Sequence, residues 1–160
     1  MKKIGLLAVV VSLLLLSGCG KSVNFDDTDT ITFHDLTVSI PKVFIHDEEN
    51  SNDKMTFYAY NDNDDNACMV YFSFSDYPNG DARESIKFGF LDKEDFTVTE
   101  KTINDNKWSI GYREESKKQK QSFYVITVNG KEYNMSYDDF GSGEDCAKAL
   151  KVIEKSLTLK

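Results

Sequence analysis

Histidine, cysteine and tryptophan are scarce in this 160-residue chain, which has two His, three Cys and one Trp. His34 and His46 lie apart from the cysteines, so no spacing typical of a metal site is present. The sequence contains no Gly-x-Ser-x-Gly nucleophile turn, no phosphate-binding loop and no dinucleotide-binding fingerprint. We therefore expect a non-enzymatic protein with no cofactor, no metal site and no catalytic residue.

Basic residues are also in deficit, since 19 Lys and Arg stand against 27 Asp and Glu and give a formal net charge of −8. Removing Lys2 and Lys3 from the 19 leaves 17 basic residues and a net charge of about −10. Such a surface does not attract nucleic acid or anionic lipid headgroups. The charge keeps a domain soluble, and it also complements a basic patch on a partner.

Long hydrophobic runs are missing except for one, from Ile4 to Leu16, which follows Lys2 and Lys3. A basic start before an apolar run of this length is typical of a removable export signal. A membrane-spanning helix needs about 20 apolar residues, which is more than this run provides. The remainder of the chain is therefore expected to be aqueous.

The apolar run ends in Leu16-Ser17-Gly18-Cys19, which resembles the lipobox of bacterial lipoproteins at all four positions. In that family the cysteine thiol carries a diacylglyceryl group and the chain is cut just before it. The resemblance implies a signal peptide over residues 1–18, a lipidated Cys19 and a location on the extracytoplasmic face of a bacterial membrane. Several acyl chains on one residue make such an attachment stable. The alternative is an ordinary secretory signal with an incidental cysteine.

The polar segment 20–30 is expected to be a flexible tether, and residues 31–160 are expected to form one extracytoplasmic domain. That length is sufficient for a hydrophobic core. Cys68 and Cys146 remain once Cys19 carries lipid, and an exported domain permits a disulfide between them. Sequence does not give their separation, so two isolated buried thiols are the alternative.

Alternation of apolar and polar residues predicts eight strands, while 3.6-residue periodicity predicts two helices. The strands are expected at 31–33, 36–40, 54–60, 67–75, 96–103, 107–113, 121–128 and 131–138. Asp81 is expected to cap the first helix, and Ser142 the second. Asn129-Gly130 predicts a tight hairpin, and residues 47–53 a polar loop. One apolar stripe marks the second helix: Cys146, Ala149, Leu150, Ile153 and Leu157.

This order of elements, with short links between strands, predicts an α+β fold with a largely antiparallel sheet of about six to eight strands flanked by helices. Bulky residues on both sides of several strands indicate a sheet covered on both faces. The segment Val38-Ser39-Ile40-Pro41-Lys42-Val43-Phe44, the single middle helix and the ending Ile153-Glu154-Lys155-Ser156-Leu157 resemble the PsbP-like α/β/α sandwich. That family often has Trp where Phe44 stands. The resemblance implies a mostly non-enzymatic protein that docks to membrane protein complexes.

Aromatic residues of the strands are the remaining candidates for a binding surface. Core packing explains most of them, but Trp108 and Tyr112 share one predicted side of a strand. Trp and Tyr are enriched at interaction hot spots, so these two residues are a candidate interaction surface.

The acidic turn at 61–66 is a candidate calcium loop, because Asp62, Asp64 and Asn66 match positions 1, 3 and 5 of an EF-hand. Ala67 and Ser73 stand where that motif has Gly and Glu, so a solvated hairpin tip is the simpler interpretation.

The leading hypothesis is an accessory module that binds a protein partner in the cell envelope. A lipoprotein that binds a small ligand or Ca²⁺ is the alternative, and an envelope hydrolase with paired carboxylates is a weaker one.

Overall fold

The computed structural model describes residues 23–62, 65–116, 119–141 and 143–160, with backbone alone for 62 and 65–67. The predicted signal peptide, Cys19 and Ser142 lie outside these residues. The structured part begins earlier than residue 31, because Phe25 is buried and the first strand starts at Thr28. The tether predicted over 20–30 is therefore too long, since its second half belongs to the fold.

The described residues form ten strands and two helices. The strands are β1 (Thr28–Phe33), β2 (Leu36–Pro41), β3 (Ile45–Asn52), β4 (Met55–Asp62), β5 (Asp65–Ser75), β6 (Thr97–Ile103), β7 (Asn106–Ser116), β8 (Gln119–Val128), β9 (Lys131–Asp139) and β10 (Thr158–Leu159). The helices are α1 (Ala82–Gly89) and α2 (Glu144–Ser156). In the described part of the chain, no helix is long and apolar enough to cross a membrane.

Seven strands form the main sheet, in the order β3-β4-β5-β9-β8-β7-β6, and β1, β2 and β10 form a smaller sheet. All strand pairs in both sheets are antiparallel. The predicted α+β class, with a largely antiparallel sheet flanked by helices, is confirmed. The polar loop predicted over 47–53 is wrong, because β3 occupies most of it and pairs with β4 through an irregular register.

Two local predictions are confirmed at the ends of elements. The hairpin between β8 and β9 turns at Asn129 and Gly130, which have φ of 53° and 74°. Glycine and asparagine tolerate this left-handed region better than other residues. Asp81 caps α1, because its Oδ1 accepts a hydrogen bond from the Arg83 N–H at 2.7 Å.

One face of the main sheet packs under α2 and the small sheet, and we call it the α2 face. The buried stripe of α2 includes Ala149 and Ile153, which join the largest apolar cluster of the protein. Cys68 on β5 and Cys146 on α2 are bonded through their sulfur atoms at 2.11 Å, with Cα atoms 5.7 Å apart. The predicted pair therefore lies inside this core and ties α2 to the sheet.

The opposite face carries α1, and we call it the α1 face. Ile86 and Phe90 pack there against Phe123 and Val125, as a separate apolar cluster. Two glycines set how closely α1 approaches the sheet. A Cβ atom at Gly89 would overlap the ring of Phe123, and one at Gly111 would overlap Ile86 and Phe90.

Candidate functional site

The interaction surface predicted from Trp108 and Tyr112 is wrong for Trp108. Its side chain is 0 % exposed and belongs to the core of the α2 face. Side chains at 108, 110 and 112 share one side of β7, because alternate residues of a strand face the same way. The core covers the beginning of that side, and only its end, at Tyr112, reaches solvent. Tyr112 is 39 % exposed and donates a hydrogen bond to Glu114 at 3.3 Å.

The histidines form no recognisable site within the described part of the chain. His34 stacks on Phe74, and His46 lies 3.1 Å from the hydroxyl of Thr56. No group of three or more His, Cys, Asp or Glu side chains converges among those the structure describes. The side chains of the predicted calcium loop, at 62–66, lie outside the described ones.

A groove lies beside α1, because this eight-residue helix packs mainly on β8 and β7 and leaves part of the wide sheet uncovered. It consists of two adjacent hollows of about 310 Å³ and about 350 Å³. Both are lined by Tyr71, Gly89 and Leu91, so they are halves of one depression. Each half has the size of a ligand pocket, for which about 300 Å³ is the lower end. We call this depression the α1 groove.

Strand β9 supplies the polar floor of the α1 groove. Every second residue faces it: Glu132, Asn134, Ser136 and Asp138. All four are buried, although each carries a polar side chain. The residues between them, Tyr133, Met135 and Tyr137, point into the core of the α2 face. This alternation of polar and apolar residues is the sequence signal that could have located the groove floor. It is, however, typical of any strand with one side in solvent and the other in the core.

The first half of the groove, which is the hollow of about 350 Å³, centres on Glu132. This residue is 4 % exposed. Its carboxylate accepts hydrogen bonds from Ser85 Oγ at 2.7 Å, Asn134 Nδ2 at 3.1 Å and the Asn79 N–H at 3.3 Å. Asn134 also donates to Ser73 Oγ at 3.4 Å. Among the described atoms, the Asn134 Oδ1 has no hydrogen-bond partner, although the residue is only 8 % exposed.

The second half of the groove contains a chain of hydrogen bonds that starts at the buried Arg113. Its Nε donates to Asp95 at 2.8 Å and its Nη1 donates to Gln121 Oε1 at 3.0 Å. Gln121 Nε2 in turn donates to Asp138 Oδ1 at 2.7 Å. The bond from Arg113 lowers the pKa of Asp95, whereas burial raises the pKa of Asp138.

Large apolar side chains stand around the first half of the groove. Tyr77, Phe88 and Leu91 are 87 %, 72 % and 84 % exposed. They are half of the six large hydrophobic side chains that are exposed in the described part of the molecule. Apolar side chains that cluster at a surface mark interaction sites, whereas isolated ones are ordinary. We call these three residues the rim.

Chemically, the groove offers acceptors below an apolar rim. Glu132 and Asp138 are the buried carboxylates of its floor, but they stand six residues apart on one strand. At about 3.4 Å per residue this is about 20 Å. Glycosidase carboxylate pairs lie about 5–9.5 Å apart, so these two cannot act together on one bond. The arrangement suits recognition of a ligand that donates hydrogen bonds.

Comparison with known proteins identifies the fold. No protein-family model and no curated protein matches the sequence. Among solved structures, the cyanobacterial PsbP protein CyanoP of Synechocystis matches with a TM-score of 0.56 and 12% identity, over 91% of this chain and 99% of that one. The Ran-binding protein Mog1p of Saccharomyces cerevisiae matches with a TM-score of 0.56 and 10% identity, over 86% and 96%.

A Bacteroides thetaiotaomicron protein matches with a TM-score of 0.53 and 12% identity, over 83% of this chain. This chain spans about half of that protein, since 48% of the latter is covered. Identities this low show the fold alone. The PsbP-like architecture implied by the sequence is thus confirmed.

Proposed function

We propose that this protein is a membrane-anchored extracytoplasmic lipoprotein, a non-enzymatic accessory module that docks a protein partner of the cell envelope through the α1 groove. The observation that carries the docking is the exposed rim of Tyr77, Phe88 and Leu91 above a buried polar floor. An apolar patch bordered by polar groups is typical of a protein-binding surface.

The similar folds support an interaction role by analogy. Mog1p is a Ran-binding protein, and CyanoP is a cyanobacterial PsbP. Among the described residues, the two buried carboxylates of the groove floor lie too far apart to act as a pair, and no histidine lines the groove. A binding function therefore requires fewer assumptions than a hydrolytic one.

The membrane anchor of the proposal rests on Cys19 in its lipobox-like context. Val23 and Phe25 already pack in the core, so residues 20–22 alone would separate the lipid from the fold. Three extended residues span at most about 11 Å, which would hold the domain close to the membrane. We expect Cys19→Ala to abolish labelling by a radioactive fatty acid and to release the protein from membranes. A variant that stays membrane-bound would remove the anchor from the proposal.

The docking is tested with a rim variant, Phe88→Ser with Leu91→Ser, in the full chain. The matched control is Ile45→Ser on β3, since Ile45 is 69 % exposed and does not line the groove. We expect the wild type and the control to capture the same envelope protein from solubilised membranes, and the rim variant to lose it. Equal capture by all three proteins would show that the rim is not the docking surface.

A small-ligand binder is the second candidate, favoured by the unpaired Asn134 Oδ1 in a cavity of about 350 Å³. Thermal unfolding with cell-wall fragments and with Ca²⁺ tests it. A ligand that fills the cavity should raise Tm in the wild type and not in Asn134→Ala. A flat response of the wild type removes this candidate.

A further inference from the structure

We propose that the Glu132 half of the α1 groove receives an arginine side chain of the partner protein, an inference that rests on the proposed docking function. The guanidinium group would donate to Glu132 and to Asn134 Oδ1 while its plane lies against the aromatic rim.

The first reason is charge. Glu132 is 4 % exposed, and its three hydrogen-bond donors, from Asn79, Ser85 and Asn134, are all neutral. No ion pair found within 23–62, 65–116, 119–141 and 143–160 includes it. Buried carboxylates are normally paired with a cation, because desolvation of an isolated charge is costly. A cation from outside would complete this site.

The second reason is the orientation of Asn134. A carboxylate only accepts hydrogen bonds, so the amide must turn its Nδ2 toward Glu132. That orientation leaves Oδ1 as a buried acceptor without a donor, within the lining of the same half of the groove. The site therefore presents two acceptors, a carboxylate and an amide oxygen. It suits a ligand group that donates hydrogen bonds and accepts none. Guanidinium has five N–H donors and no acceptor.

The third reason is the rim, which selects arginine over lysine. Phe88 and Tyr77 expose aromatic rings beside the acceptors. A planar guanidinium stacks on such rings and donates from its edge at the same time, whereas an ammonium is a compact, strongly hydrated charge. The net charge of −8 further favours approach of a basic segment.

The other half of the groove does not have the same requirement. Asp138 is connected through Gln121 to Arg113, so a cation of the protein already faces its hydrogen-bond chain. The two halves therefore differ in whether their buried carboxylate is connected to a cation of the protein. An arginine of the partner is predicted only at Glu132.

The test is an NMR titration of the isotope-labelled full chain in non-ionic detergent. The probe is the capped pentapeptide Gly-Gly-Arg-Gly-Gly, and its control has citrulline, the neutral isostere, in place of arginine. We expect saturable shifts of the amides of Ser85, Glu132 and Asn134 with the arginine peptide. The citrulline peptide should bind at least about tenfold more weakly, as expected from loss of charge-assisted hydrogen bonds.

Variants locate the binding. Glu132→Gln should weaken the arginine peptide by about tenfold, and the exposed control Asp29→Asn should leave it unchanged. If Glu132→Gln fails to fold, Phe88→Ala on the exposed rim should still weaken binding by about threefold, through loss of stacking. Equal binding of both peptides, or shifts confined to other residues, would overturn the inference.

Two further outcomes separate this inference from the docking proposal. Free argininamide that binds more tightly than the peptide would assign the site to a small molecule and overturn the assignment to a partner segment. If the arginine peptide shows no preference while the rim variant still loses its captured partner, the inference fails and the docking function stands. If rim substitution leaves capture unchanged, the docking function itself fails.

Discussion

The two faces of the seven-stranded sheet are built for different tasks. The α2 face is closed by a helix of 13 residues and by a second sheet, and it contains the disulfide and the buried Trp108. The α1 face is covered by a helix of eight residues, which leaves a groove with a buried polar floor. Both faces carry an apolar cluster, but the larger one lies on the α2 face.

This difference separates stability from recognition. Apolar packing on the α2 face stabilises the fold, because burial of hydrocarbon is the dominant favourable contribution to folding. Buried polar groups on the α1 face contribute little and can cost free energy, and proteins keep such groups where they bind something. Substitutions on the two faces should therefore have unlike effects.

The largest effect is expected from the disulfide of the α2 face. Cys68→Ala with Cys146→Ala opens a bridge between residues 78 apart in sequence. The free energy of unfolding should fall by about 4 kcal/mol, since the unfolded chain regains the entropy of a long loop. Urea denaturation measures the loss, and reductant should reproduce it in the wild type but not in the variant. A loss below about 1 kcal/mol would show that this face does not depend on its covalent tie.

A smaller effect is expected where α1 meets the sheet. Gly89→Ala places a Cβ against the ring of Phe123 and should cost about 1–3 kcal/mol through overpacking. Replacing Phe123 with Leu in the same chain should recover part of this loss, because the shorter side chain makes room. Thermal unfolding of both variants checks the prediction, with the exposed Glu84→Ala of the same helix as control. Additive losses in the double variant would mean that the two residues do not clash.

The pH dependence should show that the groove floor is not optimised for stability. Burial raises the pKa of Asp138 above its ordinary value of 3.8, so the folded state holds this proton more tightly than the unfolded chain. The contribution of Asp138 to stability therefore declines as pH rises past 3.8 through the folded-state pKa. Asp138→Asn should be more stable than the wild type at pH 7, with an advantage that shrinks toward pH 4.

Denaturant unfolding at both pH values gives this comparison, with the exposed Asp29→Asn as control. A gap between variant and wild type that does not change with pH would exclude ionisation of Asp138 as its cause.

The smallest effect on stability is expected at the rim. Phe88 is 72 % exposed, so Phe88→Ala should change the free energy of unfolding by no more than about 0.5 kcal/mol. The same variant should weaken partner capture, which would separate recognition from stability at one residue. A marked fall in Tm would instead identify Phe88 as a packing residue of α1.

Much of the fold could be predicted from the sequence, because local chemistry determines it. Alternating side chains located most strands of the main sheet, Asn129-Gly130 fixed a hairpin and Asp81 fixed a helix start. The extra strand β3 was missed, since its polar composition is typical of a loop and only pairing with β4 makes it a strand.

The candidate site was not predictable in the same way. The polar residues of β9 alternate as a solvent-facing strand does, and their burial depends on where α1 rests. That position is set by the close approach at Gly89 and Gly111, which involves residues distant in sequence. Trp108 was assigned to a surface because residue type alone does not indicate how far along that side of β7 the core extends.

Photo-crosslinking from both faces in intact membranes tests the central claim most directly. A benzoylphenylalanine replaces Phe88 on the groove rim in one protein and the exposed Lys151 on α2 in another. We predict a discrete adduct with one envelope protein from position 88 and none from position 151. An adduct from position 151 alone would contradict the account, since recognition would then belong to the face that we assign to stability.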